Sequence, residues 1–184
     1  ENGGSHNAYT SFEHTNYYFD IDNASLAPAL DRFSDFFVSP LFNADYVQRE
    51  VNAVESEYRT KIKDENRRIL DATQQLINPE HPYHKFTVGS LSTLSSPSIR
   101  DDMLNFYQRY YSASRMTLVV VGDYSLPELK RMVIHRFSSI PNNGSKTEAI
   151  NEPLLTTANS TLPLILAVQA EKPIRQLRLT FPMP

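Results

Sequence analysis

One stretch in the first third of the chain has the pattern of an amphipathic helix. Apolar side chains recur at positions i, i+4, i+7 and i+11, a spacing that aligns them on a single helix face. The four residues are Val47, Val51, Val54 and Tyr58. The pattern therefore predicts a long helix, over about residues 43–63, that packs this apolar face against a core.

Two carboxylates border this apolar stripe. Glu50 and Glu57 each precede a stripe residue and are two helical turns apart, so both side chains point the same way. A carboxylate held against an apolar face costs free energy unless a cation or water meets it. Lys61 stands four residues after Glu57, the favoured order for a helical ion pair. The residue types alone leave three partners open: a metal ion, a basic side chain, or water at the helix margin.

The composition limits the class of protein. The chain has 184 residues, 40% of them hydrophobic, which is enough for one packed domain of ordinary size. A net charge of −3 argues against a nucleic-acid-binding surface. No apolar run is long enough to span a bilayer. Because there is no cysteine, disulfides, thiolate zinc ligands and cysteine nucleophiles are excluded.

Two strands rich in Tyr, Thr and Phe are predicted near the N-terminus, over residues 7–12 and 15–21, with a turn between them. Gly3 and Gly4 allow another backbone to approach the first strand closely. From its residues alone, this strand is an ordinary edge strand of a sheet.

Further helices and strands follow along the chain. The helices are predicted over residues 26–38, 67–77, 98–111 and 125–140, and the strands over 116–122 and 177–181. Ser125 and Glu128 have the spacing of a capping box. The core candidates on the first and third of these helices are Leu26, Leu30, Phe33, Phe36, Phe37, Met103, Phe106, Tyr107 and Tyr110.

The residues around the two carboxylates resemble a family of zinc peptidases. Residues 49–57 (REVNAVESE) are similar to the helix that carries the third zinc ligand in the pitrilysin/insulinase family. The resemblance covers roughly residues 1–141 and is weaker afterwards. It extends in the family's order through residues 3–10 (GGSHNAYT), 13–20 (EHTNYYFD), 29–33 (ALDRF) and 40–42 (PLF).

The family's H-x-x-E-H motif is not among these residues, and none of the five His forms it. The resemblance places that motif upstream of residue 1. The chain is therefore expected to start inside a catalytic domain. In this interpretation it carries one of the three protein zinc ligands and lacks the general base.

The resemblance implies a fold class and a domain division. The fold is an α/β (α+β) sandwich, in which helices pack on an antiparallel-rich sheet. More narrowly, it is the LuxS/processing-peptidase-like metallohydrolase fold, truncated at the N-terminus. Residues 1–141 are the truncated catalytic domain, 142–172 a linker, and 173–184 the first strand of the following repeat domain.

The resemblance also implies a role for each site residue. Glu57 matches the zinc ligand, and Glu50 matches a carboxylate that supports the catalytic site. In the family, an extended peptide substrate adds as a further strand to the edge strand that residues 3–10 resemble. The Asn7 side chain and the Ala8 backbone match the contacts to that substrate. The cofactor is zinc (Zn2+) in the full-length parent, where a metal-activated water cleaves peptides and small proteins. The chain by itself is expected to be inactive and not to bind zinc tightly.

The expected partners are peptide substrates and the remaining domains of the same chain, with no nucleic acid and no membrane span. The resemblance to bacterial pitrilysin favours a periplasmic location, and the cytoplasm is the alternative. A second function stays open: a non-catalytic peptide-binding or scaffold copy of the same fold.

Overall fold

A computed structural model describes residues 2–85, 87–156 and 163–181 of the chain. Within these ranges it contains two strands and six α-helices. The strands are β1 (His6–Thr10) and β2 (Thr15–Phe19), and the helices are α1 (Leu26–Val38), α2 (Ala44–Lys61), α3 (Glu65–Gln74), α4 (Leu91–Leu94), α5 (Ile99–Tyr110) and α6 (Leu126–Phe137). This mixture of helices with a small antiparallel sheet agrees with the predicted α/β class.

The chain divides into two compact units. The first consists of Glu1–Arg49 with Ser95–Ala149, and the second of Glu50–Leu94 with Ile150–Pro184. In the described residues, no helix is both long enough and apolar enough to cross a membrane. The predicted division at residues 141 and 172 stays a prediction.

β1 and β2 form an antiparallel hairpin, as the sequence predicts. The register pairs His6 with Phe19 and Thr10 with Thr15. Both strands end two residues earlier than predicted. The alternation of side chains puts His6, Ala8 and their β2 partners on one face of the hairpin.

The core of the first unit lies between α1 and α6. Leu26 and Leu30 of α1 are buried against Leu129 of α6. Phe19 of β2 packs edge-on against Phe33 of α1, with ring centroids 5.0 Å apart. These contacts attach the hairpin to the helical layer and fix which face of the hairpin points toward α1.

Two predicted core aromatics lie outside this core. Phe36 of α1 is 58% exposed, and Phe106 of α5 is 57% exposed. The other α1 and α5 candidates are buried or half-buried. The prediction is wrong for these two rings because periodicity identifies the apolar face of a helix but not how far neighbouring elements cover it.

The predicted strands over residues 116–122 and 177–181 do not form in the described part of the chain. Val120 packs against the core of the first unit, but Val119 is 77% exposed and Val121 85% exposed. A strand exists only as part of a hydrogen-bonded ladder, and within the described ranges β1 and β2 form the only sheet. The sheet is therefore smaller than predicted.

The long helix α2 is confirmed. The Asn43 side-chain Oδ1 accepts the Asp45 N–H at 3.0 Å at its start, and the helix ends at Lys61 rather than near residue 63. Val47 and Val51 of the predicted apolar stripe are buried, and the two later stripe residues are half-buried. The apolar stripe is therefore the buried face of α2, as its spacing predicts.

α3 begins two residues earlier than predicted and ends at Gln74 instead of Ile77. Its start is set by Asp64, whose Oδ1 accepts the Arg67 N–H at 3.1 Å. Ile77 is buried in the turn beyond the helix. The periodicity of apolar residues missed both ends because a capping carboxylate and a buried turn residue lie outside that pattern.

Candidate functional site

Asn7 and Ala8, the predicted substrate contacts, lie in the middle of β1, where every residue is exposed. The Asp20 N–H donates to the Ser5 carbonyl at 2.9 Å. In an antiparallel ladder, hydrogen-bonded pairs alternate with non-bonded pairs. Asn7, two residues after Ser5, therefore bonds to β2 through its backbone, and Ala8 does not.

Ala8 consequently turns its backbone N–H and C=O away from β2, and His6 and Thr10 do the same. In the described residues β2 is the only strand beside β1. The backbone groups of His6, Ala8 and Thr10 form the open edge of β1. Such an edge accepts an additional strand through main-chain hydrogen bonds.

The Asn7 side chain acts at this same edge. Its Oδ1 accepts the Ala8 N–H at 2.8 Å. Asn7 therefore occupies the donor that an added strand would use, whereas the register leaves the Ala8 carbonyl directed toward the open edge. The two residues predicted as substrate contacts thus lie together, and one controls a hydrogen-bonding group of the other.

A groove of about 780 Å³ lies beside this edge. His6 and Ala8 of β1 line one side of it, and Ala29, Phe33 and Phe36 of α1 line another. The exposed ring of Phe36 is part of this wall. The first unit therefore combines an open strand edge with an adjoining, largely apolar groove.

Glu57 lies near the C-terminal end of α2, with 59% of its side chain exposed. Its Oε2 accepts a hydrogen bond from Lys61 Nζ at 3.0 Å, which confirms the helical ion pair that the spacing predicts. Glu50, two turns earlier, is also exposed. Of the three partners that the residue types leave open, the described residues give Glu57 a basic side chain, whereas Glu50 lies on the solvent-facing flank of the stripe.

The described residues by themselves do not fit a zinc ion. Within those residues, no three His, Cys, Asp or Glu side chains are grouped closely enough to hold a metal. Zinc sites use three or four protein ligands, and Glu57 is one exposed carboxylate paired with a lysine. The role of Glu57 as a zinc ligand, and the supporting role of Glu50, stay predictions.

The most enclosed carboxylate on α2 is Glu55, which the sequence analysis did not single out as a site residue. Only 15% of its side chain is exposed. Its Oε2 accepts the Leu91 N–H at 2.8 Å, and its Oε1 accepts Arg59 Nε–H at 2.8 Å. These two hydrogen bonds, the first above all, hold the pKa of Glu55 below its ordinary value. The i, i+4 spacing signals the Arg59 pair, but the Leu91 contact has no sequence signal.

A second enclosed carboxylate, Glu65, opens α3 with 9% of its side chain exposed. Its Oε1 accepts the N–H groups of Glu171 at 2.7 Å and Lys172 at 3.0 Å. Arg68 Nη1 lies 3.4 Å from the other carboxylate oxygen of Glu65, Oε2. Arg68 Nη2 donates a hydrogen bond to the Gln169 carbonyl. The Lys172 hydrogen bond is the largest influence that lowers the pKa of Glu65. Glu65 and Arg68 thus tie the segment around residue 171 to α3.

Known proteins match this chain along most of its length. The family description "Insulinase (Peptidase family M16)" matches residues 1–80, and "Peptidase M16 inactive domain" matches residues 98–184. The A-factor-processing enzyme of Saccharomyces cerevisiae is 36% identical over 100% of this chain and 18% of that enzyme. The insulin-degrading enzyme of Homo sapiens is 40% identical over 77% of this chain and 14% of that enzyme.

A crystal structure of pitrilysin superposes with a TM-score of 0.81 and 37% identity, covering 86% of this chain and 17% of the pitrilysin chain. This likeness defines the class of protein as an α/β domain of the pitrilysin kind. The chain belongs to peptidase family M16, the insulinase family. It spans 14–18% of the length of the two enzymes named above.

Proposed function

We propose that this chain is the peptide-holding part of a zinc-dependent endopeptidase that cleaves peptides and small proteins. The observation that carries the proposal is the open edge of β1 in a member of a peptidase family. An extended peptide pairs with such an edge through its main chain, so recognition depends little on sequence. That property suits an enzyme that must present many different peptides in one extended conformation.

The geometry of the edge supports the roles proposed for Ala8 and Asn7. The Ala8 backbone bonds to the peptide main chain, and the Asn7 side chain moves from the Ala8 N–H, which it now accepts at 2.8 Å, to the peptide. Exchanging one exposed hydrogen bond for another costs little net free energy. Glu57 is the zinc ligand that this chain contributes to the full-length protein, and Glu50 is the supporting carboxylate.

The narrower fold assignment, the LuxS/processing-peptidase-like metallohydrolase fold, is part of the same proposal. The TM-score of 0.81 to pitrilysin supports it. We further propose a periplasmic location for the full-length protein, with the cytoplasm as the alternative. Separating these compartments and detecting the protein in each tests that part of the proposal.

Strand addition is tested with backbone-methylated peptides. A short labelled peptide of Val and Thr is expected to bind the chain, as measured by fluorescence anisotropy. N-methylation of consecutive residues removes donors from both edges of the peptide and is expected to abolish binding. The matched control is methylated at alternate residues only, keeps one edge intact, and is expected to bind. Equal binding of the two methylated peptides would show that main-chain pairing is not used.

The second candidate is a non-catalytic peptide-binding or scaffold copy of the same fold. Two observations favour it: Glu57 pairs with Lys61 rather than with other metal-ligating side chains, and residues 98–184 match the description of an inactive domain. Both candidate functions predict peptide binding at β1. They differ in the full-length protein, since only the enzyme requires an intact H-x-x-E-H motif upstream and chelator-sensitive hydrolysis.

A further inference from the structure

We propose that Arg32 makes the peptide site at β1 selective for acidic side chains. This inference rests on the proposed function, because it names which peptides the open edge of β1 prefers. The ligand it commits to is an extended peptide with a carboxylate that reaches the groove beside β1.

The groove lies between β1 and α1. Of the two strands, β2 packs on α1, and β1 lies one strand further from the centre of that helix. β2 contacts α1 through ring pairs, Phe19 with Phe33 at 5.0 Å and Tyr17 with Phe37 at 5.6 Å. β1 is displaced sideways by one strand spacing, about 4.8 Å. The space between β1 and α1 stays open as the groove of about 780 Å³.

A strand that pairs with the open edge of β1 extends the hairpin over this groove. His6 and Ala8 project from the same hairpin face as Phe19, the face that contacts α1. Side chains of the added strand that stand opposite His6 and Ala8 point the same way, since side-chain directions match across a ladder. Every second side chain of a bound peptide therefore points to the side of the hairpin that faces α1, where the groove lies.

Arg32 is the cation that these side chains meet. On α1 it follows Ala29 by three residues and precedes Phe36 by four, so all three share one helix face, and all three line the groove. Arg32 is exposed and makes neither a hydrogen bond nor an ion pair with another described residue. Its guanidinium is available to a ligand without the loss of an existing partner.

One acidic side chain, that of Asp20, also lines the groove. Its two oxygens accept the Ser5 N–H at 3.0 Å and the Ser5 hydroxyl at 2.5 Å, and it forms no ion pair with Arg32 in the described residues. His6 lines the groove too and brings no carboxylate to it. Arg32 thus supplies the only permanent positive charge among the described residues that line the groove. The exposed ring of Phe36 forms part of the same lining.

The test compares three labelled peptides of Val and Thr that carry Glu, Gln or Lys at two alternate central positions. Anisotropy titrations of the chain are expected to give about two- to fivefold tighter binding of the Glu peptide than the Lys peptide, the range of a solvent-exposed ion pair. Arg32→Gln is expected to remove this preference, and Arg32→Lys to keep most of it. Arg32→Glu is expected to reverse it in favour of the Lys peptide.

Arg131 provides the matched control. It is an exposed arginine on α6 of the same unit and does not line the groove, so Arg131→Gln changes the net charge equally. This variant is expected to keep the preference for Glu. Equal binding of the Glu and Lys peptides, or a preference that Arg32→Gln leaves intact, would overturn the inference while leaving peptide binding at β1 in place. Failure of all three peptides to bind would instead refute the proposed function, and the inference with it.

Discussion

Glu55 and Glu57 lie two residues apart on α2, yet their carboxylates have different surroundings. Positions two apart are rotated by roughly 200° around a helix. Glu55 therefore reaches Leu91 and is 15% exposed, whereas Glu57 is 59% exposed and, among the described residues, pairs with Lys61 alone. An exposed i, i+4 ion pair contributes about 0.3–0.5 kcal/mol. A metal ion competes easily with so weak a partner, so the observed ion pair is compatible with Glu57 as a ligand.

At the scale of this residue, Glu57→Gln is expected to reduce the zinc content of the full-length protein and its peptide hydrolysis at least tenfold. An uncharged amide is a poor replacement for a carboxylate ligand. Lys61→Gln is the matched control, because it removes the ion pair and keeps the ligand. Elemental analysis and a peptide-cleavage assay measure both variants. Unchanged zinc and activity in Glu57→Gln would rule out the ligand assignment.

At the scale of elements, α3 is joined to a distant segment through Glu65 and Arg68. Glu65 accepts two backbone N–H groups, those of Glu171 and Lys172, and its pKa is lowered mainly by the second of them. A carboxyl group whose pKa is lower in the folded state stabilises that state above its unfolded pKa. This stabilisation is lost as the pH falls through the lower, folded value. The attachment of this segment to α3 should therefore weaken in acid.

Lowering the pH from neutral past 4.5, the ordinary pKa of a glutamate, and on through the lower pKa of Glu65 in the folded chain is accordingly expected to weaken this attachment. The charged neighbours of Glu65 are Arg68, Lys172 and Glu171. The hydrogen-exchange protection factors of the Glu171 and Lys172 amides, which correct for the slower intrinsic exchange in acid, should fall as the pH is lowered. In Glu65→Gln the protection factors of these amides should already be lower at neutral pH and should change less with acid than in the unmodified chain.

Glu80→Gln is the control for this measurement, since it removes an exposed carboxylate of the same unit. It is expected to leave both amides protected at neutral pH. An acid response of the two amides that is identical in the unmodified chain and in Glu65→Gln would contradict the role of Glu65.

At the scale of the whole molecule, residues 1–184 alone are expected neither to hydrolyse peptides nor to bind zinc tightly. One carboxylate does not replace two imidazoles held in a fixed geometry. Equilibrium dialysis against zinc and a peptide-cleavage assay, each with and without a chelator, measure this. Chelator-sensitive cleavage by the chain alone would overturn the expectation and require a different set of ligands.

The helices were predictable because a helix satisfies its backbone hydrogen bonds within its own segment. The apolar spacing that begins at Val47 predicts α2, and the Ser125–Glu128 spacing predicts the start of α6, where the Glu128 carboxylate accepts the Ser125 N–H at 2.9 Å. The hairpin of β1 and β2 was predictable for a related reason, since its two strands are neighbours in sequence. The predictions over 116–122 and 177–181 did not hold, because a strand depends on a partner elsewhere in the chain.

The sequence by itself determined the long helices and the hairpin, the family resemblance, and the candidate site residues Asn7, Ala8, Glu50 and Glu57. Only the tertiary structure decided which backbone groups of β1 face outward, that Arg32 lines a groove beneath that edge, and which carboxylates are enclosed. Glu55 meets a residue 36 positions away, and Glu65 meets residues 106 and 107 positions away. Contacts at such separations depend on the path of the folded chain, and residue spacing carries no record of that path.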